Sequence, residues 1–514
     1  MKILSRLVTA LLFCLVVISF ASVPAQAQAP QILISPTSGP PGQQAYIYGT
    51  GLSGYTGSSI YIRFYTTSTD YTSVATLMVP SDGNFTAAYF TIPECAKGDH
   101  LVYAYNVNGN IASTIFTVTP RLEIGPSEGL VDTTVMVKGR GFGQSETGIQ
   151  LSYYLDGGYR MVANGIAANS YGSWDVTFRI PASSRGSHRI DAAGDISSLD
   201  QVQDATFTVK PGISLSKSSG SVGDSITVSG SGFSSNEAEI KVSYDGAQAG
   251  SSTTANNDGS WTIPFSVPPS AKGVHRIDAS GLSTPATDIA DKEFTVSPVM
   301  TLVPNSGHVG SNLTVSGNGF AGSKMVSVAY DGAEKGSGTT DGTGRFSEIS
   351  FSVPKSIHGK HTVAVTDADG NKASADFTME SQPPPTPVLL SRPQGSRVGF
   401  LGNVTTTFEW SPVTDESGVV YTFQIATSQN FTAPLLSLTD LSAANYTLTQ
   451  QQALPHGTYY WRVKAIDGAQ NEGNWTSPYS LKAGLLSLWQ LIVIIVLAIV
   501  LISVLVCFSV EDGG

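Results

Sequence analysis

Cysteine is the first scarcity. The 514 residues hold three, at Cys14, Cys95 and Cys507. The first lies in an apolar run near the N-terminus and the last in one near the C-terminus, so only Cys95 stands between them. The intervening chain can form no internal disulfide, and its folded parts must be held by their cores alone. Charge is scarce too: Lys, Arg, Asp and Glu make up 13% of the residues, with a net charge of −11 and no Lys/Arg cluster. That balance excludes nucleic acid as an expected partner. Long Ala/Glu/Lys/Leu stretches are missing from the middle of the chain, which argues against a helical protein. There is no His-Glu-x-x-His, no cysteine cluster and no phosphate loop. We therefore assign no catalytic residue, no cofactor-binding residue, no cofactor and no metal ligand, and we expect no enzyme.

What is present is glycine, 53 residues of it, with frequent Ser, Thr and Val. That mix suits many short strands joined by tight turns. The length calls for roughly three to five domains. A Gly-x-Gly step recurs at Gly49-Thr-Gly51-Leu52, Gly139-Arg-Gly141-Phe142, Gly230-Ser-Gly232-Phe233 and Gly317-Asn-Gly319-Phe320, at intervals of 90, 91 and 87 residues. Each step follows an alternating strand and an earlier turn, such as Pro304-Asn-Ser-Gly307. Four later features keep the same order. A Gly-x-aromatic step appears at Phe85, Trp174, Trp261 and Phe346. An apolar residue precedes Pro93, Pro181, Pro268 and Pro354. A Gly-x-His step follows at His100, His188, His275 and His361, and Phe-Thr-apolar closes each unit at Phe116, Phe207, Phe294 and Phe377. In the last three units Tyr154, Tyr244 and Tyr330 mark a strand that ends at Asp-Gly, Tyr154 standing one residue further from it.

About 90 residues carrying roughly seven period-2 strands between Gly, Pro, Asp and Asn turns describe a two-sheet sandwich. Such units should be sought as stacked repeats. The pattern apolar-Pro-x-x-Gly, then Gly-x-x-apolar-x-apolar-x-Gly-x-Gly-Phe, resembles the IPT/TIG family of immunoglobulin-like domains, four times over residues 31 to 380. Units three and four fit best. Unit one has Leu52 in place of Phe, and unit two has Leu130-Val-Asp132 in place of the usual Gly-containing turn. The family occurs in surface receptors, secreted bacterial proteins and some intracellular factors. The resemblance implies a fold more than a task.

A run of prolines at Gln382-Pro383-Pro384-Pro385-Thr386-Pro387 breaks the repeat and favours an extended, semi-rigid linker. Beyond it, Phe408-Glu-Trp410, Tyr421-Thr-Phe423-Gln-Ile425 and an alternating stretch from Gly457 to Asp467 resemble a fibronectin type III domain. That resemblance makes Tyr459 the tyrosine-corner residue. No Arg-Gly-Asp is present.

The two ends read as sorting and anchoring segments. Lys2 and Arg6 precede an apolar run from Leu7 to Phe20, and Ala25-Gln-Ala27 offers small residues for cleavage, as in a secretory signal. From Leu488 to Phe508 only Gln490 and Ser503 are polar. Those residues give about 31 Å of helix, a bilayer core's thickness. The expected order is a signal at 1–27, immunoglobulin-like units at 31–119, 120–210, 211–297 and 298–380, and a Pro-rich linker at 381–387. A fibronectin-like module at 388–483, a transmembrane helix at 486–508 and a short tail at 509–514 follow. The fold class is all-β, tandem immunoglobulin-like sandwiches plus one C-terminal transmembrane helix. The chain is expected in the cell membrane as a single-pass protein, with its sandwiches outside and a short tail inside.

Several motif strings fail on context. Gly49-x-Gly51-x-x-Gly54 and Gly317-x-Gly319-x-x-Gly322 match a dinucleotide loop, yet no helix pattern follows. Gly125-Pro-Ser127-Glu-Gly129 matches a hydrolase string but occupies the repeat's first turn. The four recurrent histidines are one per unit and cannot gather on one ion. Their place on an alternating strand marks structural residues that bond a nearby turn. Asp367-Ala-Asp369-Gly370-Asn371 opens like a calcium loop but lacks the later carboxylates, and reads as a β-turn. The six Asn-x-Ser/Thr strings matter only in a host that glycosylates them. Adhesion, or binding of an extracellular protein or carbohydrate, is the first functional expectation, with the membrane engaged by the C-terminal helix. A structural stalk without a ligand is the second, and an accessory of an extracellular enzyme the third. Tyrosines around Tyr46, Tyr48, Tyr55 and Tyr61 to Tyr65 discriminate: exposed at the tip of unit one they favour binding, buried they favour the stalk.

Overall fold

A computed structural model describes residues 28–401 and 403–511. The expected signal at 1–27 and the last three tail residues lie outside the described residues. The chain falls into two compact units. One comprises Met1–Lys217, Ile226–Phe265 and Arg276–Glu293, the other Ser218–Ser225, Ser266–His275 and Phe294–Gly514. The division runs through the third repeat.

The first repeat shows the scheme. Its strands are β1 (Gln31–Ser35), β2 (Ser38–Gly39), β3 (Gln44–Thr50), β4 (Ser59–Tyr65), β5 (Tyr71–Met78), β6 (Phe85–Thr91), β7 (Gly98–Asn106) and β8 (Gly109–Val118). They form a three-stranded sheet, β1-β3-β6, and a five-stranded sheet, β2-β8-β7-β4-β5. Only the short β2 runs parallel to its neighbour β8. Alternate residues point inward, as period 2 requires. Ala45 and Ile47 from one sheet meet Ile60, Ile62, Phe64, Val102, Ala104 and Phe116 from the other, all fully buried. The same strand order recurs in the next three repeats.

The Gly-x-Gly step explains itself in this frame. Its first glycine lies in the strand beneath the ring of the Gly-x-aromatic residue. A Cβ on Gly139 would overlap the Trp174 indole, and one on Gly230 the Trp261 indole. The step's phenylalanine completes the stack. Phe142 meets Trp174 edge-on at 5.2 Å, Phe233 meets Trp261 at 5.2 Å, and Phe320 meets Phe346 at 5.6 Å. Leu52 fills the same place in the first repeat and is fully buried. The second glycine holds a positive φ, +70° at Gly141, where the chain passes close over the carbonyl of Thr119, the residue just before the repeat.

The Asp-Gly steps close two-residue hairpins. Asp245 and Gly246 have φ of 49° and 82°, and Asp331 and Gly332 have 47° and 81°. Positive φ at both central positions defines a type I′ turn, which matches the twist of its strands. The second repeat departs from the alignment made on sequence. Its equivalent of Tyr244 and Tyr330 is Tyr153, not Tyr154. Tyr153 pairs across the sheet with Ile190, as Tyr244 does with Ile277 and Tyr330 with Val363. Two extra residues, Tyr154 and Leu155, lengthen this hairpin ahead of its Asp156-Gly157 turn, which Leu155 closes opposite Gly158. Tyr154 points outward beneath the Arg189 guanidinium, 3.8 Å from its ring centre.

The module beyond the proline run has one five-stranded sheet (Ser396–Val398, Tyr479–Ala483, Gly457–Asp467, Val419–Ala426, Leu436–Leu441) and a two-stranded sheet of Thr407–Glu409 with Asn445–Thr447. Phe408, Trp410, Phe423 and Trp461 fill its core. The Tyr459 hydroxyl donates to the Pro455 carbonyl at 3.0 Å, a tyrosine corner. The helix α1 runs Leu488–Glu511, starting two residues after the expected boundary and ending three past it. Ser487 and Gln490 set its start reciprocally: the Gln490 N–H donates to Ser487 Oγ at 3.2 Å and the Ser487 N–H to Gln490 Oε1 at 2.9 Å. The stretch Leu488–Val506 is long and apolar enough to cross a membrane, and none of it is buried against the protein.

Two core groups carry unusual charge states. The Cys95 thiol is fully buried, and burial, helped by Glu94, pushes its pKa up to about 12. It is a small core residue and not a nucleophile. Asp191 is fully buried on the third strand of the second repeat's larger sheet, and its Oδ2 has no hydrogen-bond partner. Burial and the Asp204 carboxylate raise its pKa to about 6, against the Ala192 N–H and Arg189.

Two outcomes follow from these placements. Gly139→Ala should destabilise the second repeat by about 1–3 kcal/mol, because the added methyl has only the indole to displace; hydrogen exchange across Thr134–Arg140 measures it. The Asp191 pKa is higher folded than unfolded, so the folded chain holds the extra proton. Its stability contribution is present at acid pH and is lost as pH rises through about 6. Asp191→Asn should therefore raise the Tm at pH 7 and change it little at pH 4; equal shifts at both pH values would refute the assignment.

Candidate functional site

The motif residues suspected on sequence all resolve into framework. Ser127 is exposed in the first turn of the second repeat, where its carbonyl accepts the Thr208 N–H at 2.9 Å. Each recurrent histidine donates from Nε2 to the carbonyl of the residue four positions earlier, in the preceding turn. Nε2 lies 2.7 Å from Ala96 O in His100, 2.8 Å from Ser184 O in His188, 2.8 Å from Ala271 O in His275 and 2.7 Å from Ile357 O in His361. The rings also stack on core aromatics, His188 on Tyr153 at 5.3 Å and His361 on Tyr330 at 5.0 Å. Asp367 gathers its own loop. Its carboxylate accepts the N–H groups of Ala321, Asp369 and Asn371 and the Asn371 amide. Burial would raise this carboxyl, but those bonds outweigh it and hold it below the usual range.

Among the described residues one group of acids comes close enough to hold an ion. Oxygen atoms of Glu380, Asp415 and Asp467 lie within 4.8 Å of one another. Local bonds already occupy two of the three. Asp467 accepts the Asn471 N–H at 2.7 Å and its amide at 2.8 Å. Glu380 accepts from Ser417 Oγ at 2.7 Å and from the Asn471 amide at 3.3 Å. Burial first, then the Glu380 and Asp415 charges, raise the Asp467 pKa. The cluster ties the end of the fourth repeat to the module that follows.

What stands apart is the surface of the first repeat. The outward positions of β4 and β7 are Tyr61, Arg63, Tyr65 and Tyr103, Tyr105, alternating with the buried Ile60, Ile62, Phe64, Val102 and Ala104. Cross-strand pairing sets Tyr61 beside Tyr105, Arg63 beside Tyr103 and Tyr65 beside Tyr71. The Arg63 guanidinium lies over Tyr105 at 3.6 Å and Tyr71 at 4.4 Å. Tyr65 contacts Tyr71 at 5.4 Å and Tyr103 at 5.3 Å. The result is a flat face of locked aromatic rings. Beside it a cleft of about 550 Å³ is lined by Tyr65, Thr66, Thr67, Ser68, Asp99 and Gln144, among others. The opposite sheet adds Leu33, Tyr46 and Tyr89, exposed at 61%, 42% and 68%.

These tyrosines are not in the core, and they do not gather at a loop tip. They stand on the outer faces of both sheets, because the strands carrying them spend their inward positions on Ile and Phe. The positions of the fourth repeat that correspond to Tyr61, Arg63, Tyr103 and Tyr105 are Ser327, Ala329, Ala364 and Thr366. The signal was therefore present in the sequence as a contrast between repeats at the polar half of the alternation.

Residues 212–283, the third unit, match the IPT/TIG domain family. No curated protein matches the chain. Among solved structures, a tetra-tandem repeat from the extending region of a large adhesion protein is similar at 15% identity, covering 69% of this chain and 100% of that one, with a TM-score of 0.19. The N-terminal eight Ig domains of the Down Syndrome Cell Adhesion Molecule give 14% identity over 88% of this chain and 60% of that one, TM-score 0.20. SGBP-B from a Bacteroides ovatus mixed-linkage glucan utilization locus, in complex with a mixed-linkage heptasaccharide, gives 12% over 68% and 92%, TM-score 0.21. At such TM-scores none of the three bears on what this chain does. Its own strand order and the matched unit show a tandem of IPT/TIG-type immunoglobulin-like repeats, followed by a fibronectin type III-like module and a C-terminal apolar helix.

Proposed function

We propose that this chain is a membrane-anchored, multi-domain surface protein that binds an extracellular ligand through the tyrosine faces of its first repeat. The single observation that carries this reading is the Tyr61-Arg63-Tyr65-Tyr71-Tyr103-Tyr105 face. Tyrosine and arginine contribute disproportionately to binding surfaces, because their large rigid groups bury area at little entropic cost and keep a polar handle. A protein that only spaces has no use for six such residues on one sheet. The cleft beside the face is lined by hydroxyls and a carboxylate. Rings next to hydroxyl partners suit a carbohydrate, whose own surface alternates C–H faces and hydroxyls.

The later repeats and the fibronectin-like module serve in this reading as a spacer, and α1 as the membrane anchor with the sandwiches outside. A role in binding without catalysis is part of the proposal.

A glycan array, with matrix proteins printed beside it, tests the reading on residues 30–482. A carbohydrate signal that falls at least tenfold in Tyr61→Ala/Tyr71→Ala, with an unchanged melting curve, is the expected result. Signal only from matrix proteins would move the ligand class to protein. No signal on either, or a signal indifferent to both substitutions, would overturn the tyrosine-face reading.

A further inference from the structure

The joints between consecutive repeats share one construction. Three residues before the histidine of each of the first three repeats stands a cation: Lys97, Arg185 and Lys272. Its backbone N–H donates into the next repeat, to the carbonyl of the Gly-x-Gly-Phe phenylalanine. The distances are 2.8 Å for Lys97 to Phe142, 2.9 Å for Arg185 to Phe233 and 2.9 Å for Lys272 to Phe320. The side chain then reaches a loop of that same repeat. Lys97 Nζ donates to Ile196 O at 2.9 Å and Gln201 Oε1 at 2.5 Å. Arg185 donates to Ser283 O at 3.1 Å and Asp288 Oδ2 at 2.8 Å. Lys272 Nζ donates to Asn371 Oδ1.

In every case a buried acid folds the receiving loop. Glu146 is 1% exposed and accepts the N–H groups of Gly143, Ile196 and Ser197 and the Ser197 hydroxyl, all within 2.8 Å. Glu237 accepts Ser234, Ser283 and Thr284 N–H and the Thr284 hydroxyl. Burial would raise the Glu237 carboxyl, but those bonds together hold it below the usual range. Asp367 does the same for the loop that carries Asn371. The first repeat has Thr56 where Glu146 and Glu237 stand, and a short turn at Val107 and Asn108 in place of the loop. The fourth repeat has His358 at the cation position.

We propose that the cation end of each of the first three repeats is a docking surface whose partner is the acid-folded loop of the following repeat, and that this clasp locks the two into one orientation. The side-chain pair alone would contribute little, since Arg185 and Asp288 are each about one-third exposed. The clasp works because the backbone bond and the carbonyl acceptors are fixed before the cation arrives: the buried carboxylate has already ordered the loop. Arg185 is a positioning residue for the joint between repeats two and three. The proposal is independent of what the tyrosine faces bind.

The test uses the full chain in detergent, with bio-orthogonal spin labels at the exposed positions 160 and 252 and parallel hydrogen exchange. The wild type should give a narrow distance distribution and slow exchange across 281–288. Arg185→Ala should broaden the distribution at least twofold and speed that exchange at least tenfold, leaving the strand Ser225–Ser231 unchanged. Arg185→Lys, which restores the residue type used at the other two joints, should recover both. Glu237→Gln should reproduce the Arg185→Ala phenotype, and the double variant should add little. An unchanged distribution in Arg185→Ala overturns the clasp, as does faster loop exchange with the distribution still narrow. Should Glu237→Gln fail to fold, the Arg185 pair alone decides.

Discussion

A ring lying on bare backbone is the contact on which each repeat depends. Without a disulfide the two sheets have only side-chain packing to hold them, and the Gly-x-Gly step makes room for the largest side chains at the centre. Trp174 on Gly139, with Phe142 against its edge, fixes the sheet separation, the register of the strand beneath and the turn that follows. Close packing leaves no slack there. Where Phe346 replaces tryptophan the pairing phenylalanine moves to 5.6 Å from 5.2 Å, and the geometry persists. The turn that this stack fixes also presents the carbonyl of its phenylalanine to the preceding repeat. Core and joint are thus one piece of structure.

The polar interior follows the same economy. Glu146, Glu237 and Asp367 are each buried with every lone pair engaged by N–H or hydroxyl donors, as a buried carboxylate must be. Asp191 differs: its second oxygen has no hydrogen-bond partner and only the Arg189 guanidinium at 3.7 Å, and burial with the nearby Asp204 raises its pKa. The two cases differ by the loop. Around Glu146 the chain turns to offer several backbone donors, whereas Asp191 sits on a strand and receives one, the Ala192 N–H at 2.7 Å.

Much of this was legible from residue order. Strand alternation, the Asp-Gly hairpins, the histidine position and the tyrosine corner at Tyr459 follow from local rules of period, turn chemistry and spacing. The misaligned Tyr154 shows the limit of that reading. Two extra residues lengthen the hairpin ahead of its Asp-Gly turn, so counting back from the turn picks the wrong neighbour, on the other face, and only the pairing of Tyr153 with Ile190 reveals the shift. The tyrosine face was visible only as the outward half of the alternation, which a search for core residues passes over. The clasp was not legible at all. Arg185 and Asp288 are 103 residues apart, and Glu146 in a Gly-Gln-Ser-Glu string looks like any solvated turn acid until the loop closes on it.

The missing disulfide also sets what the chain does under tension. A cross-linked sandwich can lengthen only as far as its shortest covalent path. Here each repeat of about 90 residues could pay out its whole contour, about 300 Å at roughly 3.4 Å per residue, and residues 31–380 together about 1,200 Å. The same scarcity of cysteine that forces a glycine-floored core makes the repeats a reserve of length. A surface held by its first repeat and its last helix would yield by unravelling a sandwich before it let go.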